Sequence, residues 1–248
     1  MEKKREIVMT KPLIVITGAS SGIGATIARH MSDAGYPLLL LARRLEKMES
    51  LNLPNTLCKK VDITDREDLE AAIREAEHQF GPVDCLINNA GMMLLGNVET
   101  QDPTEWRQMF DVNVLGTLNG MQAVLGGMKN RKRGSIINIS SLAGVKTFIN
   151  HAAYCGTKYA VTAIGETVRE EVASSGVRVM TISPGAVETD LVSHTTSQAI
   201  IDDYLKWKDS IGGAINADDI ARAALFMYSQ PQQVTIREIQ IAPTGQER

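Results

Sequence analysis

The chain has 248 residues, of which 44% are hydrophobic, and this composition is ordinary for a globular protein with a sizeable core. The length fits one large α/β domain better than two small ones. A net charge of −3 gives no sign of a nucleic-acid-binding surface. No apolar run is long enough to cross a membrane, and the charged start is not followed by a signal-peptide core. Three scattered cysteines show neither a disulfide framework nor metal-ligand spacing, so we expect a cytoplasmic protein without a metal site.

Apolar strand-like runs alternate with helix-period segments after a polar tail at residues 1–11. The predicted strands, in chain order, are residues 13–17, 37–42, 57–62, 83–88, 135–140, 177–183 and 235–241. The predicted helices are residues 22–34, 66–80, 103–128, 151–174 and 218–228. Strands that are apolar on both faces and alternate with helices predict a doubly wound α/β fold around a parallel sheet.

Residues 12–248 contain no internal repeat or Pro/Ser-rich linker, and we therefore expect a single domain. The longest stretch without clear periodicity is polar and covers about residues 187–213. Long irregular stretches in compact domains are often functional loops. We expect this irregular segment to be either a lid over a binding site or a disordered loop, and we favour the lid.

A glycine-rich turn lies at the first predicted strand-to-helix junction, from Thr17 to Gly24. Its glycines allow a tight turn and a close approach of the backbone to a pyrophosphate, whose charge suits the start of a helix. The spacing is Gly-x-x-x-Gly-x-Gly rather than the commoner dinucleotide fingerprint. A nucleoside-triphosphate loop would end in Gly-Lys-Ser/Thr, and this turn contains no lysine. The turn therefore predicts a dinucleotide site.

The end of the second predicted strand distinguishes between dinucleotides. In NAD-binding proteins an acidic residue near this position holds the ribose hydroxyls, but here the strand ends in Arg43 and Arg44. Arginines at this position would pair with a 2′-phosphate. The alternative is that both residues only open a surface helix. We favour the phosphate interpretation, and NADP is the expected cofactor.

Tyr154 and Lys158 are four residues apart on one predicted helix, so their side chains lie on the same face, one turn apart. A phenol keeps its proton up to a pH of about 10, and a nearby ammonium group favours the phenolate. Such a pair also occurs by chance on many solvated helices. Together with the glycine-rich turn, however, it indicates acid/base chemistry beside a dinucleotide.

These motifs, in this order, resemble the short-chain dehydrogenase/reductase family over residues 13–241. The resemblance implies a seven-stranded parallel sheet in a doubly wound Rossmann fold, with the dinucleotide across the carboxyl ends of the strands. The motifs that carry it are Gly18, Gly22 and Gly24, the run Asn88-Asn89-Ala90-Gly91, Asn113, Ser140-Ser141, Tyr154, Lys158 and Pro184-Gly185.

The resemblance also implies four catalytic roles. Tyr154 would be the general acid in reduction and the base in oxidation. Lys158 would bind the nicotinamide ribose and lower the pKa of Tyr154. Ser141, thirteen residues before Tyr154, would polarise the substrate oxygen, whereas Ser140 lies one residue further from Tyr154 than this spacing. Asn113 would hold a helix distortion and a water that connects Lys158 to solvent.

Further residues are expected at the cofactor. Asp62 and Ile63 resemble the pair that contacts the adenine, and Thr189 resembles the residue that bonds the nicotinamide carboxamide. The full expected set is Gly18, Ser20, Ser21, Gly22, Ile23, Gly24, Arg43, Arg44, Asp62, Ile63, Asn89, Ala90, Gly91, Tyr154, Lys158, Pro184, Gly185, Val187 and Thr189.

The carboxyl-terminal run indicates a branch of the family. It lacks the Gly-Gly pair that follows the last strand in many acyl-thioester reductases, and it resembles NADP-dependent 3-hydroxy acid and serine dehydrogenases and small-aldehyde reductases. The expected reaction interconverts a small polar ketone or aldehyde and its alcohol. The alternatives are a 3-oxoacyl thioester reductase and a non-catalytic NADPH-binding protein.

Three side chains are possible anchors for an acid group of the substrate: Lys146, His151 and Arg237. A solvated loop position for Lys146 and a packing role for His151 are the alternatives. The resemblance further implies a homotetramer or a homodimer, formed through the helices at residues 103–128 and 151–174.

Overall fold

Seven strands form one parallel sheet in the computed structural model, which describes residues 11–247. Most of the predicted tail at residues 1–11 therefore lies outside the described residues. The order across the sheet is β3-β2-β1-β4-β5-β6-β7. The chain adds β2 and β3 on one side of β1 and then returns to add β4 to β7 on the other side, so the strand order reverses between β1 and β4. The strands are β1 (Leu13–Thr17), β2 (Leu38–Ala42), β3 (Thr56–Lys60), β4 (Val83–Asn88), β5 (Gly134–Ile139), β6 (Val177–Pro184) and β7 (Glu238–Ile241).

Helices connect the strands and cover both faces of the sheet, as expected for a doubly wound fold. They are α1 (Gly22–Asp33), α2 (Leu45–Glu49), α3 (Arg66–Phe80), α4 (Pro103–Phe110), α5 (Gly116–Arg131), α6 (Ala152–Val172), α7 (Gln198–Ser210) and α8 (Ala217–Ser229). A π-helical segment, Asp111–Leu115, joins α4 to α5. Among residues 11–247, no helix combines the length and the apolar character needed to span a bilayer.

Alternate residues of the strands enter two separate cores. Ile14 and Ile16 point to a layer formed with α1 and α8, whereas Leu13 and Val15 point to a layer formed with α3, α5 and α6. This alternation is the period of two that a strand imposes on its side chains. Both layers are apolar, which explains why the strands read as continuous hydrophobic runs in the sequence.

The sequence prediction was confirmed for the fold class, and the bounds of β1, α3 and β4 agree with the predicted ones. The helix predicted at residues 103–128 is interrupted by the π-helical segment and continues to Arg131. The short helix α2 was not predicted. The expectation of an irregular segment at residues 187–213 was wrong, because this segment contains α7 and a 3₁₀ turn at Asp190–His194.

Candidate active site

A cleft with a volume of ≈ 1140 Å³ lies at the carboxyl ends of the central strands. Thr17 ends β1, Ile139 ends β5 and Pro184 ends β6, and all three line the cleft. In open α/β sheets, ligands bind in the crevice at the point where the strand order reverses. Here that point is the gap between β1 and β4, where the glycine-rich turn is located.

The glycine-rich turn leaves no room for side chains against the neighbouring backbone. Gly18 has a φ of +67°, and a Cβ atom there would lie 2.7 Å from the Cα atom of Ala90. Gly22 has a φ of +52° and lies against Thr189. Helix α1 begins at Gly22, and the side chain of Ser21 does not cap it. The free N–H groups of a helix start, exposed in a cleft, fit the phosphates of a dinucleotide.

Arg44 lies beside this turn, as the sequence predicts. Its guanidinium group donates hydrogen bonds to the hydroxyl of Ser20 at 3.0 Å and to the hydroxyl of Ser21 at 2.7 Å. Arg43 also lines the cleft and is exposed. Two exposed cations at the end of β2 fit a phosphate group on the adenosine ribose.

Asp62 and Ile63 line the same end of the cleft. Partial burial raises the pKa of the Asp62 carboxyl, but hydrogen bonds from Thr64 and the charge of Arg43 outweigh burial and lower this pKa overall. Asp62 accepts hydrogen bonds from the Thr64 backbone at 3.0 Å and from its hydroxyl at 2.7 Å. The carboxylate therefore holds the loop after β3 in place.

Asn89 secures the turn from the opposite strand. Its side-chain amide donates to the backbone oxygens of Thr17 at 2.9 Å and Gly18 at 3.2 Å. The backbone N–H groups of Asn89 and Ala90 both donate to the hydroxyl of Thr17 at 3.0 Å. The ends of β1 and β4 are thus joined by polar contacts at the floor of the cleft. Gly91, which follows, also lines it.

Tyr154 and Lys158 lie in the cleft on α6, and both are buried. The Nζ atom of Lys158 lies 5.8 Å from the centre of the Tyr154 ring and donates to the Ile139 backbone oxygen at 3.0 Å. Burial lowers the pKa of Lys158 to about 8. Burial also raises the pKa of Tyr154, and a hydrogen bond with the Ser141 hydroxyl opposes this only in part. Among the groups of this chain, desolvation of the phenolate therefore dominates. The expectation that Lys158, together with the oxidised nicotinamide, lowers the pKa of Tyr154 stays a prediction.

Ser141 follows β5 and lies on the cleft wall beside Tyr154. Its hydroxyl accepts a hydrogen bond from the Ala143 backbone at 3.0 Å. The neighbouring Ser140 is buried, and its hydroxyl contacts the backbone oxygen of Lys158 and the hydroxyl of Thr162. Ser140 therefore ties β5 to α6, and of the two serines Ser141 has its hydroxyl beside the phenol.

Asn113 lies in the π-helical segment, so the helix carries the predicted distortion at this residue. Its side chain is buried behind the cleft wall and does not line the cleft itself. The amide contacts the backbone of Met92 and donates to the Thr157 hydroxyl at 3.0 Å. Gly24 likewise lies behind the lining, under Asn89.

Of the three possible anchors for an acidic substrate, His151 lines the cleft, and Lys146 and Arg237 do not. The Nδ1 atom of His151 lies 2.7 Å from the Ile149 backbone oxygen. Lys146 and Arg237 are exposed, and neither belongs to the part of the described chain that lines the cleft. The proposal of Lys146 as a substrate contact is therefore not supported by its position: it lies on a loop whose later residues, from Thr147, form the cleft wall.

Several lining residues were not predicted. Phe148, Tyr204 and Gln246 line the cleft, and the Gln246 side chain accepts a hydrogen bond from the Ala186 backbone at 2.9 Å. Tyr204 belongs to α7. The helix could have been found in the sequence, because Ile200, Tyr204 and Trp207 recur at helical spacing.

Comparisons with known proteins agree with this geometry. The profile of the short chain dehydrogenase family matches residues 12–199. An uncharacterised oxidoreductase of Staphylococcus saprophyticus is 41% identical over 243 residues, covering 94% of this chain and 96% of that protein. An uncharacterised oxidoreductase of Listeria monocytogenes is 36% identical over 242 residues, covering 94% of this chain and 97% of the relative.

Among solved structures, the closed form of serine dehydrogenase complexed with NADP⁺ superimposes with a TM-score of 0.89 at 26% identity. The match covers 95% of this chain and 96% of that one. The glycine-rich turn, the sheet order and the family profile lead to the same conclusion. The chain belongs to the short-chain dehydrogenase family of oxidoreductases.

Proposed function

We propose that this protein is an NADP(H)-dependent oxidoreductase that interconverts a small polar aldehyde or ketone and its alcohol, with Tyr154 as general acid and base. The observation that carries the proposal is the position of the Tyr154 phenol, in one cleft with the hydroxyl of Ser141 and the glycine-rich turn. A proton donor, a polarising hydroxyl and a dinucleotide cradle are the parts that carbonyl reduction requires.

NADP is the dinucleotide that fits the residues present. Gly18, Gly22 and the start of α1 would hold the pyrophosphate, and Arg43 and Arg44 would hold the 2′-phosphate. Support comes from the solved structure of serine dehydrogenase in complex with NADP⁺, which superimposes on this chain with a TM-score of 0.89. When bound, the nicotinamide supplies the hydride in reduction and accepts it in oxidation.

The protein supplies the proton that carbonyl reduction needs. Because burial raises the pKa of Tyr154, its hydroxyl is protonated near neutral pH and can donate a proton to a substrate oxygen. The Ser141 hydroxyl contacts the phenol and would donate a second hydrogen bond to the same oxygen. Negative charge that develops on that oxygen is thereby neutralised at once.

Lys158 and Asn113 would support the phenol. The ammonium of Lys158, 5.8 Å from the ring centre, favours the phenolate that Tyr154 becomes after it has given up its proton. Asn113 holds Thr157, the residue before Lys158, through a hydrogen bond of 3.0 Å. We also propose that Asn113 holds a water molecule that connects Lys158 to solvent.

We also propose that copies of this chain associate into a homodimer or homotetramer. Three large apolar side chains are exposed on the helical run from α4 to α5: Phe110, Leu115 and Leu118. Exposed apolar side chains on neighbouring turns are typical of protein–protein contacts. Light scattering after size exclusion would test this, and a monomer at micromolar concentration would contradict it.

The experiment that tests the proposed reaction measures oxidation of NADPH and of NADH with a panel of small aldehydes, ketones and an acyl-thioester mimic. We expect turnover with small carbonyl compounds and a preference for NADPH. Tyr154→Phe should reduce turnover by about a thousandfold and leave NADPH binding unchanged, because only the proton donor is lost. Tyr159→Phe, on the exposed side of the same helix, is the matched control and should behave as wild type.

Three results would contradict the proposal. Retained turnover in Tyr154→Phe would remove the assigned acid. Tight NADPH binding without turnover of any carbonyl compound would favour a non-catalytic dinucleotide-binding protein, and fast turnover of the thioester mimic alone would favour a thioester reductase.

A further inference from the structure

Aromatic and aliphatic side chains surround Tyr154 at the end of the cleft away from the glycine-rich turn. Tyr154 belongs to a cluster with Met93 and Leu94, against which Phe148 and Tyr204 pack. The rings of Tyr204 and Trp207 lie 5.4 Å apart at an angle of 52°, and both line the cleft. The walls around the reacting group therefore offer ring faces and edges to a substrate.

Charged side chains at this end of the cleft are mostly acidic. Of the Lys and Arg side chains that line the cleft in the described chain, Arg43 and Arg44 lie at the glycine-rich turn, Lys158 is beside Tyr154, and Lys208 completes the set. Lys208 is neutralised by Glu188, with an N–O distance of 3.0 Å. Besides Asp62, the carboxylates that line the cleft are Asp102, Glu105, Glu188, Asp190 and Asp203.

Apart from Glu188, which pairs with Lys208, these carboxylates have at most a weak ion pair among the described residues. Asp203 meets Lys206 at 3.3 Å, but both side chains are more than two-thirds exposed, so the pair is weak. The hydrogen bond recorded at Asp190 is accepted by its backbone oxygen, from Ser193. Negative charge that lines a cleft with low-dielectric walls attracts cations and repels anions.

His151 does not supply the missing positive charge. Burial lowers the pKa of its imidazole, and this effect outweighs the contact with the Ile149 backbone oxygen, so the ring is neutral at pH 7. A backbone oxygen can only accept, so Nδ1 carries the hydrogen and Nε2 is left as an acceptor. Of the cations near the phenol among the described residues, Lys158 is buried and donates to the Ile139 backbone oxygen, and Lys208 is paired with Glu188, so neither is free to pair with a carboxylate of the substrate.

We propose that the substrate of this site is a small carbonyl compound, or its alcohol, that carries an ammonium group, held against the Phe148, Tyr204 and Trp207 rings with Asp190 and Asp203 nearby. Aromatic faces attract ammonium groups, and nearby carboxylates strengthen the attraction. This inference rests on the proposed function and replaces the acidic substrate that the sequence favours. It identifies the walls formed by α7 and by residues 147–151 as the elements that select the substrate.

The test compares two aldehydes of the same shape that differ only in charge: (2-oxoethyl)trimethylammonium and 3,3-dimethylbutanal. A third aldehyde, 4-oxobutanoate, carries the opposite charge. We expect kcat/KM for the cationic aldehyde to exceed that for the neutral one by about tenfold or more, with 4-oxobutanoate the poorest of the three. Equal or better turnover of the neutral aldehyde would overturn the inference, while leaving the proposed oxidoreductase function intact.

Calorimetry tests the preference for a cationic ligand by measuring binding instead of turnover. The corresponding alcohols, (2-hydroxyethyl)trimethylammonium and 3,3-dimethylbutan-1-ol, are titrated into the full-length protein with and without NADP⁺. Tighter binding of the cationic alcohol by about tenfold supports the inference, and equal or weaker binding overturns it. Absence of NADP⁺ binding in these titrations would instead overturn the proposed function.

Variants then assign the preference to named side chains. Trp207→Leu should reduce the cation-to-neutral ratio several-fold, whereas Trp207→Phe, which keeps a ring, should retain most of it. Asp190→Asn together with Asp203→Asn should also lower the ratio, and should weaken its dependence on salt. Asp202→Asn removes the same charge one residue away, outside the cleft lining, and should leave the ratio unchanged. A ratio that no cleft variant alters would overturn the assignment.

Discussion

Asn113 binds both backbone polar groups of one residue, because its Oδ1 atom accepts from the Met92 N–H at 2.8 Å and its Nδ2 atom donates to the Met92 backbone oxygen at 3.0 Å. The same amide reaches the Thr157 hydroxyl. Three parts of the active site are thereby connected at one buried side chain: the loop after β4, the π-helical segment and α6. The π-helical segment is what brings an asparagine to this point.

Asn113→Ala should therefore lower the free energy of unfolding by about 1–3 kcal/mol, because the Met92 backbone loses its partners in a largely buried site. Turnover should fall at the same time, since Thr157 and Lys158 lose their support. Urea unfolding and steady-state kinetics would measure both effects. Asn119→Ala is the control, because Asn119 makes a single side-chain hydrogen bond, to the Ile63 backbone oxygen, and should lose less stability.

Arg44 carries the predicted preference for NADPH through its position beside Ser20 and Ser21. Arg44→Ala should weaken NADPH binding by about 10- to 100-fold and leave NADH binding nearly unchanged, since only the 2′-phosphate is expected to contact the guanidinium group. Fluorescence titration of the two reduced dinucleotides would measure this. Arg29→Ala removes an exposed arginine of α1 that does not line the cleft, and it should affect neither dinucleotide.

The fold and the chemistry of the site could be predicted from the sequence because both depend on local signals. Apolar runs of strand length determine the sheet, and Gly18, Gly22, Tyr154 and Lys158 act through spacing along one turn or helix. Ser141, Tyr154 and Lys158 line the cleft and Asn113 lies directly behind its wall, and their catalytic roles stay predictions.

The substrate end could not be predicted in the same way, because it is assembled from distant parts of the chain. Phe148, in the loop after β5, and Tyr204, in α7, both pack against the cluster around Tyr154, and no local pattern in the sequence reports that arrangement. Desolvation is also a property of the fold. It raises the pKa of Tyr154, against the expectation from the neighbouring Lys158 alone.

Lys158 should make stability depend on pH in a characteristic direction. Its pKa is about 8 in the folded chain, below the ordinary 10.5, because burial disfavours the ammonium group. Between these two values the unfolded chain holds a proton that the folded chain has released, so the stability of the folded state rises with pH. Relative to Lys158→Met, the wild type should gain up to about 3 kcal/mol between pH 7 and pH 10.

The measurement is the free energy of unfolding in urea for wild type and Lys158→Met at both pH values. Groups common to the two proteins cancel in the difference, so the change reports on Lys158. Lys146→Met, at an exposed position, should show the same difference from wild type at both pH values. A constant difference for Lys158→Met would show that the buried amine does not titrate in this range.

Thr195 and Thr196 attach the expected lid, residues 187–213, to the rest of the active site. One of these two threonines is buried and the other is exposed. Thr195 is buried, and its hydroxyl accepts a hydrogen bond from the Leu95 backbone at 3.1 Å. Thr196 is exposed, and its hydroxyl donates to Glu105 at 2.8 Å. Thr195→Val keeps the shape of the side chain but leaves a buried N–H group without its partner, which costs about 1–3 kcal/mol.

We expect Thr195→Val to open the segment locally rather than to unfold the protein, because the sheet and its two cores do not involve this contact. Proteolysis between residues 196 and 210 should accelerate several-fold, and KM should rise more than kcat falls. Cleavage sites identified by mass spectrometry would locate the opening. Thr196→Val should change proteolysis little, since water replaces the lost partner of an exposed hydroxyl. Equal acceleration in both variants would mean that the buried contact with Leu95 does not hold the lid.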